Sequence, residues 1–138
     1  MMKHQIEVQL RFSDFDMMRH VNNARYASYM ELGRIAFFNE VIDRQHNWQH
    51  IGMVVARLEL DFKLPVLWGE QMMVETRVTE IGQKSMQIEN LIFAGKESAS
   101  YTIRAVGRTV LVCFHYTENK SILVPTEWRT RFENYLVS

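Results

Sequence analysis

The chain has 138 residues and a mass of 16.4 kDa, which is the size of one typical domain. Its 16 basic and 16 acidic residues balance to a formal net charge of zero and form no basic block. The sequence therefore excludes a general nucleic-acid binder and a polybasic membrane anchor. Apolar residues make up 47% of the chain and aromatic residues 12%, which excludes an intrinsically disordered protein. We predict one domain over residues 1–138.

The cellular location is predicted from the N-terminus and from the single cysteine. Cys113 has no second cysteine to pair with, so an internal disulfide is excluded. The first residues contain no apolar stretch of the signal-peptide kind. No segment has the roughly 20 apolar residues that span a bilayer. We therefore expect a cytoplasmic protein with no membrane partner.

The N-terminal third contains a strand, a polar loop and a long helix. Residues 5–12 alternate between apolar and polar side chains, which predicts a half-buried strand that includes Phe12. A short polar stretch follows, and Asn22 and Asn23 stand where a helix cap belongs. Residues 24 to about 42 lack proline and are long enough for five turns of helix. Because apolar residues occur on most sides of this segment, we expect other elements to wrap it.

The remainder of the chain alternates between strands and turns. We predict strands over residues 54–64, 71–81, 84–93 and 100–116, and a short helix over 126–136. Gly82 and Gln83 have the composition of a two-residue hairpin, and Gly107 is a candidate bulge in the last long strand. The fold class is α+β, with an antiparallel sheet of about five strands, one long central helix and a short C-terminal helix.

The polar side chains are concentrated in residues 13–23, directly before the predicted helix. The first amides of a helix have no internal partner, and the helix dipole adds positive potential there. A carboxylate such as Asp16 beside those amides can act on a carbonyl carbon while the amides stabilise the oxyanion. The same residues also fit simple capping. A metal site of Asp14, Asp16 and His20 lacks the third oxygen ligand and the glycine of an EF-hand loop.

The chain also resembles a known family. The segment that carries the resemblance reads RFSDFDMMRHVNNARYASYMELGR, and it is followed by LDFKLPVLWGEQMMVETRVTEIGQKSMQI, GRTVLVCF and VPTEW. These segments are similar to the 4-hydroxybenzoyl-CoA thioesterase-like proteins of the hotdog fold, from Ile6 to about Arg131. The His-Val-Asn-Asn-x-x-Tyr portion is the most specific part.

The resemblance implies a sheet wrapped around the long helix, and a homodimer or dimer of dimers with the active site at the subunit interface. It implies hydrolysis of an acyl-CoA thioester, with coenzyme A as part of the substrate and no other cofactor or metal. Asp16 matches the catalytic carboxylate, as nucleophile or general base. The backbone amide that polarises the thioester matches about Asn23, and His20 matches the family histidine. Lys84 and Ser85 match the hairpin that contacts the coenzyme A nucleotide.

Two further residues are candidates for substrate binding. Arg19 replaces the family glycine, and it either narrows the pocket mouth or reaches a phosphate. Glu31 faces the acyl pocket or pairs with Arg34 three residues later. Two other functions on this fold stay open: an enoyl-CoA hydratase or dehydratase that uses His20 with Asp16, and a non-catalytic acyl-CoA-binding protein.

Overall fold

The computed structural model describes residues 1–137. The strands are β1 (His4–Val8), β2 (Ile51–Phe62), β3 (Gln71–Ile81), β4 (Ser85–Gly95), β5 (Thr102–His115) and β6 (Lys120–Ser121). The helices are α1 (Tyr26–Val41) and α2 (Thr126–Glu133), and three 3₁₀ turns occupy Phe12–Asp14, Asn23–Arg25 and Ser98–Ser100.

The strands form one antiparallel sheet in the order β1-β3-β4-β5-β2, and the short β6 pairs with the end of β5. The pairs Val8↔Met72 and Phe62↔Ala105 lie at one end of the sheet, and Ile81↔Met86 and Ile51↔His115 lie at the other. Helix α1 packs against the sheet, and α2 closes its far end. The predicted α+β hotdog architecture is confirmed.

The apolar core lies between α1 and the sheet in two connected regions. Near the start of α1, Tyr26, Tyr29 and Met30 pack against strand residues that include Val74 and Ile92. Near its end, a second cluster joins α1 to α2 and the far end of the sheet, with members such as Phe37, Phe132 and Leu111. The first region supports the polar loop that precedes α1, so this loop rests on a fully packed base.

The structure corrects two predictions near the N-terminus. β1 ends at Val8, and Phe12 is 83% exposed in a 3₁₀ turn rather than inside a strand. The turn forms because the Asp14 carboxylate accepts the Arg11 N–H, which would otherwise extend the strand. The expected wrapping of α1 is also wrong for one face, since Leu32 and Ile35 are about half exposed within the chain.

The position of the bulge in β5 is a third correction. The β4–β5 register shifts between Ala105 and Ile103, so Arg104 is the extra residue, and Gly107 remains in register opposite Asn90. The thioether of Met30 packs on Gly107 where a Cβ atom would otherwise lie. The missing side chain of Gly107 therefore allows α1 to approach the sheet closely, and the bulge changes the direction of the Arg104 side chain.

Candidate active site

Asp16 lies at the start of a tight five-residue loop. The Asp16 N–H donates to the His20 carbonyl at 2.9 Å, and the Arg19 N–H donates to the Asp16 carbonyl at 3.0 Å. Arg19 has a φ of 61°, which is the left-handed region that favours glycine. The loop thus keeps the backbone turn that the family glycine implies, with arginine in its place.

The Asp16 carboxylate is held through one of its two oxygens. Oδ1 accepts the backbone N–H of Met18 at 2.9 Å and that of His20 at 3.3 Å. Among residues 1–137, Oδ2 has no hydrogen-bond donor. The hydrogen bonds from these two backbone amides fix the direction of the carboxylate, because both donors lie within its own loop. They leave one carboxylate oxygen available to a ligand.

Backbone pairing with neighbouring segments holds the loop on both sides. Phe15 forms an isolated bridge with Val21, and His20 forms one with Leu67. The Val21 N–H donates to the Val66 carbonyl at 2.9 Å, and the Trp68 N–H donates to the Arg19 carbonyl at 3.0 Å. The segment between β2 and β3 therefore holds the Asp16 loop in place.

Asp14 fixes the base of the same loop. Its side chain is buried and its Oδ2 accepts the Arg11 N–H at 2.8 Å, while its carbonyl accepts the Asn22 N–H at 2.8 Å. The buried Tyr29 hydroxyl lies close to Asp14 but makes no hydrogen bond of normal geometry within residues 1–137. Burial and the neighbouring Asp14 charge raise the pKa of Tyr29, so Tyr29 stays neutral at physiological pH.

The head of the helix begins with the predicted cap. The Asn22 side chain accepts the Ala24 N–H at 3.0 Å, and residues Asn23–Arg25 form a 3₁₀ turn before α1 begins at Tyr26. Among residues 1–137, the Asn23 N–H has no acceptor. It is a free donor at the positive end of a helix, which suits it to polarise a carbonyl oxygen.

Two neighbouring cavities open around these groups. Asp16 and Arg19 line one of about 330 Å³ whose other walls are Phe12, Phe15, Met17 and Trp68. His20 and Asn23 line a second of about 270 Å³ whose other walls are Tyr26, Phe62, Lys63, Leu64 and Pro65. Of the described residues, none lines both cavities. The single chain thus brings His20 to Asn23, and it places Asp16 in the adjacent cavity.

The remaining predicted site residues lie farther away. Lys84 and Ser85 are in the β3–β4 hairpin, which the Gly82 N–H closes by donating to the Ser85 carbonyl at 2.7 Å. The 11 residues of β3 separate this hairpin from the Asp16 end of the sheet, a span of roughly 35 Å. Glu31 is 62% exposed, and its Oε2 lies 3.8 Å from an Arg34 nitrogen. Arg34, not Glu31, is the more buried partner.

Sequence reasoning missed the residues that support the loop from below. Trp68 lines the Asp16 cavity and makes edge contacts with Phe12 and Phe15 at centroid distances of 5.7 and 4.9 Å. Glu70 and Arg104 form a bidentate ion pair beneath it. The glycine at position 69 is typical of a turn, but nothing near it in the sequence indicates the pairing of this segment with residues 19–21.

The described residues hold neither a metal-ligand cluster nor a membrane-spanning helix. Within residues 1–137, no three His, Cys, Asp or Glu side chains are placed to hold a metal ion together. Neither α1 nor α2 has the length and apolar character needed to cross a bilayer, in the part of the chain described.

Comparisons with known proteins define the class. The family model of the thioesterase-like superfamily matches residues 10–132. A thioesterase of Thermus thermophilus, solved in complex with coenzyme A and zinc, is 34% identical with a TM-score of 0.78, and the match covers 95% of this chain and 92% of that one.

Two curated relatives are also thioesterases. The long-chain acyl-CoA thioesterase FadM of Escherichia coli is 22% identical over 130 residues, 94% of this chain and 96% of that protein. The chloroplastic acyl-acyl carrier protein thioesterase ATL2 of Arabidopsis thaliana is 29% identical over 92 residues, 65% of this chain. The match spans about half of ATL2, 49% of its length.

The fold, the loop and these matches agree on the class of thioesterase-like hotdog proteins. The chain belongs to the thioesterase-like superfamily.

Proposed function

We propose that the protein hydrolyses the thioester of an acyl-CoA to a free acid and coenzyme A, as a homodimer or a dimer of dimers. The observation that carries this proposal is the Asp16 carboxylate. Two backbone amides hold its Oδ1, while its Oδ2 has no donor among the described residues and the Asn23 N–H at the helix head has no acceptor among them. Acyl transfer needs a fixed base or nucleophile and an oxyanion donor to act on one carbonyl, so the proposal requires the substrate thioester to lie where the Asp16 cavity and the Asn23 cavity meet.

The chemistry follows one of two routes, and both use Asp16 Oδ2. In the nucleophilic route, Oδ2 attacks the thioester carbon, the C–S bond breaks, and water then cleaves the acyl-aspartyl anhydride. In the general-base route, Oδ2 takes a proton from the water that attacks the carbon. Coenzyme A leaves as the thiolate in either case. The Asn23 N–H donates to the oxyanion, and one such donor lowers the activation free energy by about 3 kcal/mol.

A second copy of the chain would complete the substrate pocket. β2 is an edge strand of 12 residues, and none of the described residues pairs with its outer side. Val54, Val55, Leu58 and Phe62 on it are exposed. A long apolar edge of this kind is a template for pairing with another chain.

Two-fold symmetry makes such a β2–β2 pair antiparallel. The Phe62 end of one chain then meets the Ile51 end of the other. In such a pair, the cavity lined by Asn23 and Phe62 would adjoin the second copy's cavity of about 250 Å³, which Arg34, Phe38 and Met53 help to line. The partner's Lys84 hairpin also comes to the same end of the joined sheet as Asp16, where it could bind the coenzyme A nucleotide.

The central experiment compares Asp16→Asn and Asp16→Ala with the wild type on short, long and aryl acyl-CoAs by detection of free thiol. We expect kcat to fall by more than about 100-fold with the fold intact. Asp43→Asn is the matched control, because Asp43 also accepts the amide two residues on, at 2.9 Å, and it lies outside the site. A folded Asp16→Ala protein with wild-type activity would refute the assignment.

The dimer and the nucleotide contact have their own tests. Leu58→Lys should yield monomers in light scattering. The control Leu123→Lys should not, because Leu123 is an exposed apolar residue outside β2. An unchanged oligomer in both variants would exclude the β2 interface.

Lys84→Ala should raise KM for acyl-CoA and leave KM for acyl-pantetheine unaltered. Equal effects on the two substrates would count against a nucleotide contact.

No observation specifically favours the hydratase alternative, which would use His20 with Asp16. Water addition to a 2-enoyl-CoA would revive it. Tight acyl-CoA binding without thiol release would favour the non-catalytic alternative.

A further inference from the structure

A buried ion pair lies directly beneath the segment that holds the Asp16 loop. Arg104 Nη1 donates to Glu70 Oε1 at 2.7 Å and Nη2 donates to Glu70 Oε2 at 2.6 Å. The two side chains are only 11% and 8% exposed. This is the two-pronged geometry in which arginine holds a carboxylate most rigidly.

The same two side chains also bind the backbone around them. Arg104 Nη1 donates to the Pro65 carbonyl at 2.8 Å and Nη2 to the Ala94 carbonyl at 3.1 Å. Glu70 Oε1 accepts the Leu67 N–H at 2.7 Å. The pair therefore joins both ends of residues 65–70 to β4 and β5.

Residues 66–68 in turn carry the Asp16 loop, through the Val66 carbonyl, the Leu67 bridge and the Trp68 N–H. Arg104 is the extra residue of the bulge in β5. Bulges redirect side chains, and they are frequent next to active sites. An uninterrupted strand would give residue 104 a different direction, so the bulge and the ion pair form one arrangement.

Stability alone is a weak explanation for this pair. A buried ion pair loses much hydration free energy, and apolar residues of similar volume often stabilise a protein as well or better. What apolar residues cannot supply is a fixed direction for the Pro65 carbonyl and the Leu67 N–H. The geometry points to positioning as the role of the pair.

We propose that Glu70 and Arg104 are positioning residues, which fix residues 65–70 and thereby hold the Asp16 loop in its reactive geometry. The proposal rests on the proposed function in its choice of Asp16. Neither residue touches the substrate. Their loss acts on kcat more than on KM, because the loop shifts while the acyl pocket keeps its walls.

The test measures kcat, KM and thermal unfolding for Glu70→Gln, Arg104→Gln and Arg104→Lys. Glu89→Gln is the matched control, since Glu89 is similarly buried and paired with Arg77 and Arg108 but contacts no part of the loop. We expect kcat to fall about 10- to 100-fold in all three variants, because displacement by an ångström has effects of that size. KM should stay within about threefold, and Glu89→Gln should keep its kcat.

Arg104→Lys separates geometry from charge. Lysine keeps the positive charge but lacks the planar fork, so it should not restore kcat. Restoration by lysine, or an equal loss in Glu89→Gln, would overturn the proposal, because either result would assign the effect to charge or to general stability.

A second readout does not depend on activity. In protein labelled with 5-fluorotryptophan, the three tryptophans give separate ¹⁹F resonances, and Trp68→Phe identifies that of Trp68. Glu70→Gln should shift or broaden the Trp68 resonance and leave the resonances of Trp48 and Trp128 unchanged, because these two residues pack in the core cluster near the end of α1. An unmoved Trp68 line would overturn the positioning role. If the wild-type protein has no thioesterase activity, the proposed function is refuted, and the ¹⁹F measurement still tests the positioning of residues 65–70.

Discussion

Arg19 allows the backbone of the Asp16 loop to be tested separately from its side chains. Its φ of 61° costs a residue with a Cβ atom about 1–2 kcal/mol. Glycine removes this strain, but it also gains freedom in the unfolded chain that is worth about 0.4–1 kcal/mol. Arg19→Gly should therefore be about 1 kcal/mol more stable than Arg19→Ala, which keeps the strain and loses the same side chain.

The assay is thermal unfolding followed by circular dichroism. A difference of about 1 kcal/mol corresponds to about 3–5 °C in Tm for a chain of this size. The same pair of substitutions at Ser28, an exposed residue of α1, should give the opposite sign, because glycine is about 1 kcal/mol worse than alanine inside a helix. A lower Tm for Arg19→Gly than for Arg19→Ala would refute the reasoning from φ.

Kinetics of the same two variants report on the side chain. Arg19 lines the Asp16 cavity, and both variants lose its guanidinium. If that group reaches a phosphate of coenzyme A, both should raise KM for acyl-CoA equally and leave KM for acyl-pantetheine unchanged. A KM difference between the two variants would show that the backbone, rather than the guanidinium, determines binding.

Three other predictions concern the core and the ion pair. Burial raises the pKa of Cys113 to about 11, so a thiol reagent at pH 8 should label it only at the rate of unfolding; rapid labelling of folded protein would contradict its burial. The hydrogen bonds from Arg104 lower the pKa of Glu70 below its ordinary 4.5. The difference in free energy of unfolding between the wild type and Glu70→Gln should be largest above pH 4.5 and should shrink as the pH falls through the lower pKa of the folded state. Urea unfolding at pH 7 and pH 3 measures this difference, and an equal difference at both would exclude the ionised pair. In urea unfolding, Gly33→Ala should lose up to about 2 kcal/mol, because a Cβ 2.8 Å from a methyl group of Val74 costs about 1–3 kcal/mol and about 1 kcal/mol is regained from the higher helix propensity of alanine; a gain would mean that α1 can move.

The sequence predicted the fold well where the hydrophobic period decides it. The bounds of β3 are those predicted, and the strand predicted over residues 54–64 overlaps β2 from residue 54 to residue 62. Phe12 was misplaced because the apolar alternation continues beyond the end of β1 at Val8, into a turn in which the Arg11 N–H donates to the Asp14 carboxylate. Local hydrogen bonds of this kind compete with a strand without altering its pattern.

The candidate site was predictable only in part. The polar cluster at residues 13–23 and the cap at Asn22 are local features, and the sequence indicates both. The pairing of His20 with Leu67 joins segments 47 residues apart through two short stretches, and no periodic pattern marks it. The bulge at Arg104 was missed because it depends on a side chain that binds Glu70 across the fold rather than on a glycine.

The two halves of the proposed site depend on different parts of the assembly. The Asp16 loop is held within its own chain by hydrogen bonds with Val66, Trp68 and Met18. The proposed acyl pocket, by contrast, needs the cavity beside Arg34 in a second copy. Separated monomers should therefore keep the wild-type ¹⁹F line of Trp68 and lose the binding of the acyl group. A monomeric Leu58→Lys protein with an altered Trp68 line would show that the partner also orders the loop, and that the geometry at Asp16 is a property of the dimer.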